Sequence, residues 1–256
     1  MYEKVIGFVK NAGERLREKA GTLPDIGIAK RFLTEEDLRI EREFGELIKT
    51  FGPDHKLYAE EEHDFFEAAE NVWVMDPISG TSLFMRGLPH YAIVASHIKK
   101  GKVAFSCVFD PSMQHLYVAE AGKGTMLNGK KSSPPAISDT AFPHVIVHIS
   151  ESWDHSGLAI RFASELTEFA MHHRIPMSIG VGYSYVATGK FDGIIALTKD
   201  SFPDFAGSLI VREAGGIFTN KDGSNDIKPT DRVFVAAHPS LHLRLLEITR
   251  QTLAKG

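Results

Sequence analysis

The sequence predicts a layered α/β fold. Three observations carry that prediction. The chain opens with two amphipathic helical patterns, residues 91–120 have a β texture, and from residue 144 onward strand-like segments alternate with helical ones. Alternation of this kind packs helices against sheets in layers.

The elements follow in order. Val5, Phe8, Val9, Ala12, Leu16 and Ala20 recur at helical spacing, which predicts a helix over 2–20. A second helix is predicted over 35–50, with Ile40, Phe44, Leu47, Ile48 and Phe51 on one face. Thr34-Glu35-Glu36-Asp37 has the form of a capping box at its start. Lys56–Glu60 and Asn71–Asp76 read as short strands, each apolar and each ending in acid. Strands are predicted at Tyr91–Ile98, Val103–Phe109 and His115–Ala119, with turns at Gly101-Lys102, Asp110-Pro111-Ser112 and Asn128-Gly129.

Ser132-Ser133-Pro134-Pro135 breaks helix and sheet alike, which divides the chain into halves 1–135 and 136–256. In the second half, strands are predicted at His144–Ile149, Pro176–Ile179, Phe191–Leu197 and Val233–Ala237. Helices are predicted at Leu158–Phe169, 183–188, Phe205–Ala214 and 239–253.

Composition narrows the functional classes. A formal net charge of −4 over 256 residues gives no electrostatic case for nucleic acid as the main partner. The single cysteine, Cys107, excludes a disulfide framework and a zinc–cysteine site, and its apolar surroundings predict a buried, inert thiol. No basic segment followed by a continuous apolar stretch opens the chain, and no apolar run approaches the roughly 20 residues that span a bilayer. The expectation is a cytoplasmic protein with no membrane partner.

The acids fall in a pattern. Glu60-Glu61-Glu62 follows one predicted strand, Asp76 ends the next, and Asp204 stands just before a predicted helix. Strand ends and helix starts are where sheet proteins build sites. Crowded carboxylates raise one another's pKa, and a hard cation such as magnesium, which takes oxygen ligands, resolves that conflict. Asp76-Pro77-Ile78-Ser79-Gly80-Thr81 also suits a phosphate: Gly80 lets backbone approach closely, and Thr81 can orient a water. Each acid has a plainer reading. Asp37 and Asp204 serve as helix caps, and Glu60–Glu62 as a solvated corner.

The order of these motifs resembles the inositol monophosphatase family of magnesium-dependent, lithium-sensitive phosphatases. Leu33-Thr34-Glu35-Glu36-Asp37 is similar to the family's Val-Thr-x-x-Asp element, and Leu57-Tyr58-Ala59-Glu60-Glu61-Glu62 to its Gly-Glu-Glu element. Trp73-Val74-Met75-Asp76-Pro77-Ile78-Ser79-Gly80-Thr81 resembles its Asp-Pro-Ile-Asp-Gly-Thr signature. Tyr185–Gly193 resembles the element before the substrate strand, and Asp204-Phe205-Ala206-Gly207 with Val211–Gly216 resembles the C-terminal Trp-Asp motif.

The resemblance implies an αβαβα sandwich of the inositol monophosphatase and fructose-1,6-bisphosphatase type. It implies that Glu60, Asp76 and the Ile78 carbonyl hold a first magnesium (manganese is the alternative), and that Asp76 and Asp204 hold a second. A water oriented by Thr81 and Glu60 would attack the phosphorus, with Asp37 supporting it. Ser79, Gly80 and Thr81 would meet the phosphate. The substrate would be a small phosphomonoester: an inositol, sugar or nucleotide phosphate. Dimers are common in the family, so a homodimer is an expectation.

Three departures bear on that reading. Ser79 stands where the family has a ligand aspartate for the second ion, and Pro203 replaces a tryptophan. Ala196, or Leu197 by a one-residue offset, occupies the place of a substrate-binding glutamate. The alternative function is a catalytically weakened member kept as a binding or regulatory protein.

Overall fold

The computed structural model describes residues 1–28, 31–62, 69–133, 142–154 and 157–255. Helix α1 (Tyr2–Lys19) and helix α2 (Glu35–Lys49) open the chain, as their periodicities predict. Then come β1 (His55–Ala59), β2 (Asn71–Ser79), the single-turn α3 (Thr81–Met85), β3 (Ala92–Lys99), β4 (Lys102–Asp110) and β5 (His115–Glu120). Two short strands, β6 (Gly124–Leu127) and β7 (Lys130–Ser132), flank the Asn128-Gly129 turn. Among the described residues β1 to β7 form one sheet in sequence order; β1 and β2 are parallel and every later pair is antiparallel.

The second sheet runs β11-β12-β10-β8-β9. Its strands are β8 (His144–Ile149), β9 (Met171–His173), β10 (Gly193–Leu197), β11 (Ile217–Asn220) and β12 (Val233–Ala237). Its helices are α4 (Glu151–Asp154), α5 (Leu158–Leu166), α6 (Ile179–Ala187), α7 (Phe202–Glu213) and α8 (Pro239–Ala254).

Strand alternation distributes the cores. On β2, Trp73 and Met75 join α1 and α2 through Val5, Val9, Ile40 and Phe44, while Val72 and Val74 turn the other way, toward Phe202 and Phe205 of α7. On β10, Ile194 and Ala196 face the central layer, and Ile195 and Leu197 face α5 and α8. The result is five layers in the order α-β-α-β-α. The central pair α6 and α7 packs closely, because a Cβ on Gly207 would lie 2.1 Å from Cδ2 of Tyr183. Among the described residues no helix is long and apolar enough to cross a membrane.

Several expectations change. Pro176–Ile179 is not a strand: residues 174–178 are irregular, the β pairing falls on Met171–His173, and Ile179 already belongs to α6. Pro176 has no N–H to give a ladder, and Ser178 caps the helix by accepting from the Val181 N–H. The helix predicted to Phe169 ends at Leu166. Pro134 and Pro135, the predicted seam, lie outside the described residues. Cys107 is fully buried, and burial pushes its thiol up to about 12, so the prediction of an inert thiol holds.

Candidate active site

A cleft of about 1030 Å³ opens between the two sheets. One wall is the end of β2 and the turn into α3. The β2–β3 register shifts between Asp76, opposite Val94, and Ser79, opposite Ala92. One extra residue bulges out where Pro77 has no N–H to pair. The bulge turns Asp76, Ile78 and Ser79 onto the cleft, and Gly80 (φ +85°) reverses the chain into α3. The Thr81 hydroxyl donates to the Ile78 carbonyl at 2.7 Å and lies 3.3 Å from Asp37 Oδ1.

Asp37 belongs to both its cap and the site. Its Oδ2 accepts from the Thr34 N–H at 2.8 Å and from the Thr34 hydroxyl at 2.6 Å. Burial, with the charges of Glu61 and Glu60 adding to it, pushes its carboxyl up to about 7 despite those bonds.

Glu60 lines the cleft from the loop after β1, and its Oε1 lies 3.2 Å from Lys199 Nζ. Glu41, buried on α2 one turn beyond Asp37, fixes that loop. Its carboxylate accepts the Glu61 N–H at 2.8 Å and the Glu62 N–H at 2.7 Å.

The facing wall mixes basic, acidic and apolar side chains. Lys199 and Asp200 follow β10, Arg174 follows β9, Arg31 precedes α2, and Ile149, Ile175 and Met177 supply apolar surface. His148 also lines this wall; burial, with the Arg174 charge, lowers it to about 4 and keeps it neutral at pH 7.

Asp204 adjoins Pro203, which lines this cleft. It is the third residue of α7 rather than a residue ahead of it, and it is fully buried. Tyr183 of α6 donates to its Oδ1, and burial pushes its carboxyl well above the carboxylate range. Its other oxygen, Oδ2, is buried with no hydrogen-bond partner among the described residues. Ala196 and Leu197 do not line the cleft: both are fully buried in a strand covered on both faces.

This geometry fits a hard cation. Glu60, Asp76 and the Ile78 carbonyl are oxygen donors on one cleft with room for water, as a magnesium or manganese ion requires. Ser79 brings a neutral hydroxyl to this cleft, Asp200 also lines it, and Asp204 Oδ2 is buried next to the cleft-lining Pro203 with no hydrogen-bond partner among the described residues. Among the described residues no three His, Cys, Asp or Glu side chains form a metal-ligating group.

Lys199, Arg174 and Glu41 were not singled out from the sequence. Lys199 had a usable signal, since it sits at a strand end like the acids do.

Comparison with known proteins agrees with the fold. The chain is 27% identical over 225 residues to the fructose-1,6-bisphosphatase/inositol-1-monophosphatase of Thermotoga maritima, covering 88% of this chain and 84% of that one. It is 28% identical to the Nus factor SuhB of Escherichia coli, covering 95% and 96%. An IMPase structure from Thermotoga maritima superposes with a TM-score of 0.88 at 23% identity, over 99% of this chain and 98% of that one. Residues 1–254 match the sequence profile of the inositol monophosphatase family, a metal-dependent phosphatase family, and the chain belongs to it.

Proposed function

We propose that this protein hydrolyses a small phosphomonoester with a divalent cation, magnesium or manganese, held by Glu60, Asp76 and the Ile78 carbonyl. The observation that carries the reading is the bulged Asp76–Thr81 turn, which brings a carboxylate, a carbonyl and the Thr81 hydroxyl to a cleft that Glu60 also lines. When bound, the cation supplies Lewis acidity to a phosphoryl oxygen and lowers the pKa of water.

The chain's own groups do the rest. Thr81, fixed by the Ile78 carbonyl and close to Asp37, orients a water. Lys199 and Arg174 give the wall that receives the phosphate its positive charge. Ile149, Ile175 and Met177 give the ester group an apolar surface with few fixed hydrogen bonds. An apolar wall discriminates weakly among hydroxyl patterns. A myo-inositol ester is therefore preferred over sugar or nucleotide phosphates by less than a hundredfold in kcat/KM.

A second reading is a binding or regulatory protein that retains the cleft. The Lys199–Glu60 ion pair favours it, because an ammonium competes with a cation for Glu60. Relatives named as Nus factors point the same way. Phosphate release across inositol, sugar and nucleotide monophosphates, with magnesium or manganese, separates the two. Cation-dependent release from at least one ester supports hydrolysis, and ester binding without release supports the second reading.

A further inference from the structure

We propose that His148 is a specificity-determining residue of the cleft, whose imidazole takes a hydroxyl of the substrate's ester group. The inference rests on the phosphomonoester reading and concerns how the alcohol part of the ester is recognised.

Strand geometry brings the imidazole to the cleft. β8 and β10 are parallel, with Ile146 opposite Ile194 and His148 opposite Ala196. Ile146, Ile194 and Ala196 face the central layer, while Val147, Ile149, Ile195 and Leu197 face α5 and α8. Alternation therefore sends His148 to the central-layer side, where that layer opens into the cleft it lines. The end of the strand is held: the Ser150 N–H donates to the Leu197 carbonyl at 2.9 Å, and Trp153 Nε1 donates to the Thr198 carbonyl at 3.0 Å. Beside the imidazole, Ala196 ends at a methyl and offers it no polar partner.

The fold does not use this imidazole. Among the described residues neither of its ring nitrogens makes a hydrogen bond. The buried histidines elsewhere are engaged: His97 meets Tyr2 and Asn71, and His242 meets Thr219 at 3.0 Å. Polar groups removed from bulk water find partners as a rule, so a half-buried imidazole without one is completed by what enters the cleft.

The ring's chemistry selects a hydroxyl. Burial and the Arg174 charge keep it neutral at pH 7, so one nitrogen donates and the other accepts. A hydroxyl does both and matches whichever nitrogen faces it. A phosphate dianion only accepts, and Lys199 and Arg174 already bring it positive charge. The neighbouring Ile149, Ile175 and Met177 are apolar, so a single polar contact separates esters with a hydroxyl in reach from esters with none. It does not rank one hydroxyl pattern far above another.

Two matched pairs of esters are the probes: inositol 1-phosphate against cyclohexyl phosphate, and glycerol 2-phosphate against isopropyl phosphate. Each pair shares a carbon skeleton and differs in hydroxyls. With magnesium, wild type should favour the hydroxyl-bearing member about tenfold or more in kcat/KM in at least one pair. His148→Leu should bring that ratio within about threefold of unity, with kcat/KM for the hydroxyl-free member within about twofold of wild type. His148→Gln, which keeps a donor and an acceptor, should retain a ratio of about fivefold or more. If a thermal melt shows His148→Leu unfolded, His148→Phe carries the same test. A wild type without the preference, a preference that survives in the folded apolar variant, or an equal loss on both members of a pair would overturn the proposal. Calorimetric Kd values for the same pairs, with inorganic phosphate as reference, separate it from the hydrolytic reading. A protein that hydrolyses no ester defeats that reading. If its Kd values still show a hydroxyl preference that the apolar variant removes, with inorganic phosphate affinity kept within about twofold, the assignment of His148 stands; without that pattern it falls too.

Discussion

The Tyr183 hydroxyl donates to Asp204 Oδ1 between α6 and α7, and Asp204 Oδ2 is buried with no hydrogen-bond partner among the described residues. Asp204→Asn keeps an oxygen to accept from Tyr183, so it should cost only about 1 kcal/mol of stability. Affinity for the manganese held by Glu60, Asp76 and the Ile78 carbonyl should stay within about threefold of wild type. Calorimetric titration and a thermal melt check both. A loss of cation binding comparable to that of an Asp76 variant would make Asp204 a ligand of that ion.

Gly207 permits the same contact. A Cβ there would overlap the Tyr183 ring, 2.1 Å from Cδ2 and 2.6 Å from Cγ. Both helices are buried between two sheets and have little room to yield. Gly207→Ala should cost about 3 kcal/mol, read by denaturant unfolding.

Glu41 acts on the site without facing a ligand. Its two oxygens hold the Glu61 and Glu62 N–H groups and so fix the loop that presents Glu60. Glu41→Gln places an amide donor against one of those donors. The expected result is a manganese affinity lowered about tenfold and a stability loss of about 2 kcal/mol. Unchanged manganese affinity would mean that Glu60 is positioned by something else.

His97 gives the fold a measurable pH dependence. It is 1% exposed, bonded to Tyr2 and Asn71, and burial lowers it to about 4. The unfolded chain therefore takes up this proton near 6.5, while the folded protein refuses it until about 4. The stability tied to His97 is complete above pH 6.5 and is lost as pH falls toward 4. Relative to His97→Gln, wild type should lose roughly 2 kcal/mol across that window, after allowance for solvent screening. Parallel unfolding curves for the two proteins at pH 7.5 and 4.5 would contradict the assignment.

The layers were legible because their strands are long enough to show alternation. Trp73 and Met75 against Val72 and Val74 is one instance. Strands β6, β7 and β11 have four residues or fewer, too short for a period to register. The wall formed by the Asp76–Thr81 turn was legible because its residues are contiguous. The sequence places Asp204 ahead of a helix, whereas Pro203 sits in the first turn of α7 and Asp204 is its third residue. Pro203 lines the cleft, and Asp204 meets Tyr183 through one oxygen only. The substrate-facing expectation for Ala196 or Leu197 failed because β10 is buried on both sides. Lys199 could not be paired with Glu60 from sequence, since their contact joins loops 139 residues apart.

Asp76 carries the central claim. It is 4% exposed, lies at the bulge, and faces the cleft that Glu60 and Ile78 share. The most direct test is phosphate release by wild type and Asp76→Asn on the best ester of the panel, at saturating magnesium, with melts of both proteins. Asparagine preserves the shape and removes the charge that holds the cation. The account predicts a fall of about a thousandfold in rate with the melting temperature kept or raised. A folded Asp76→Asn protein that releases phosphate at the wild-type rate would show that the chemistry lies outside this cleft.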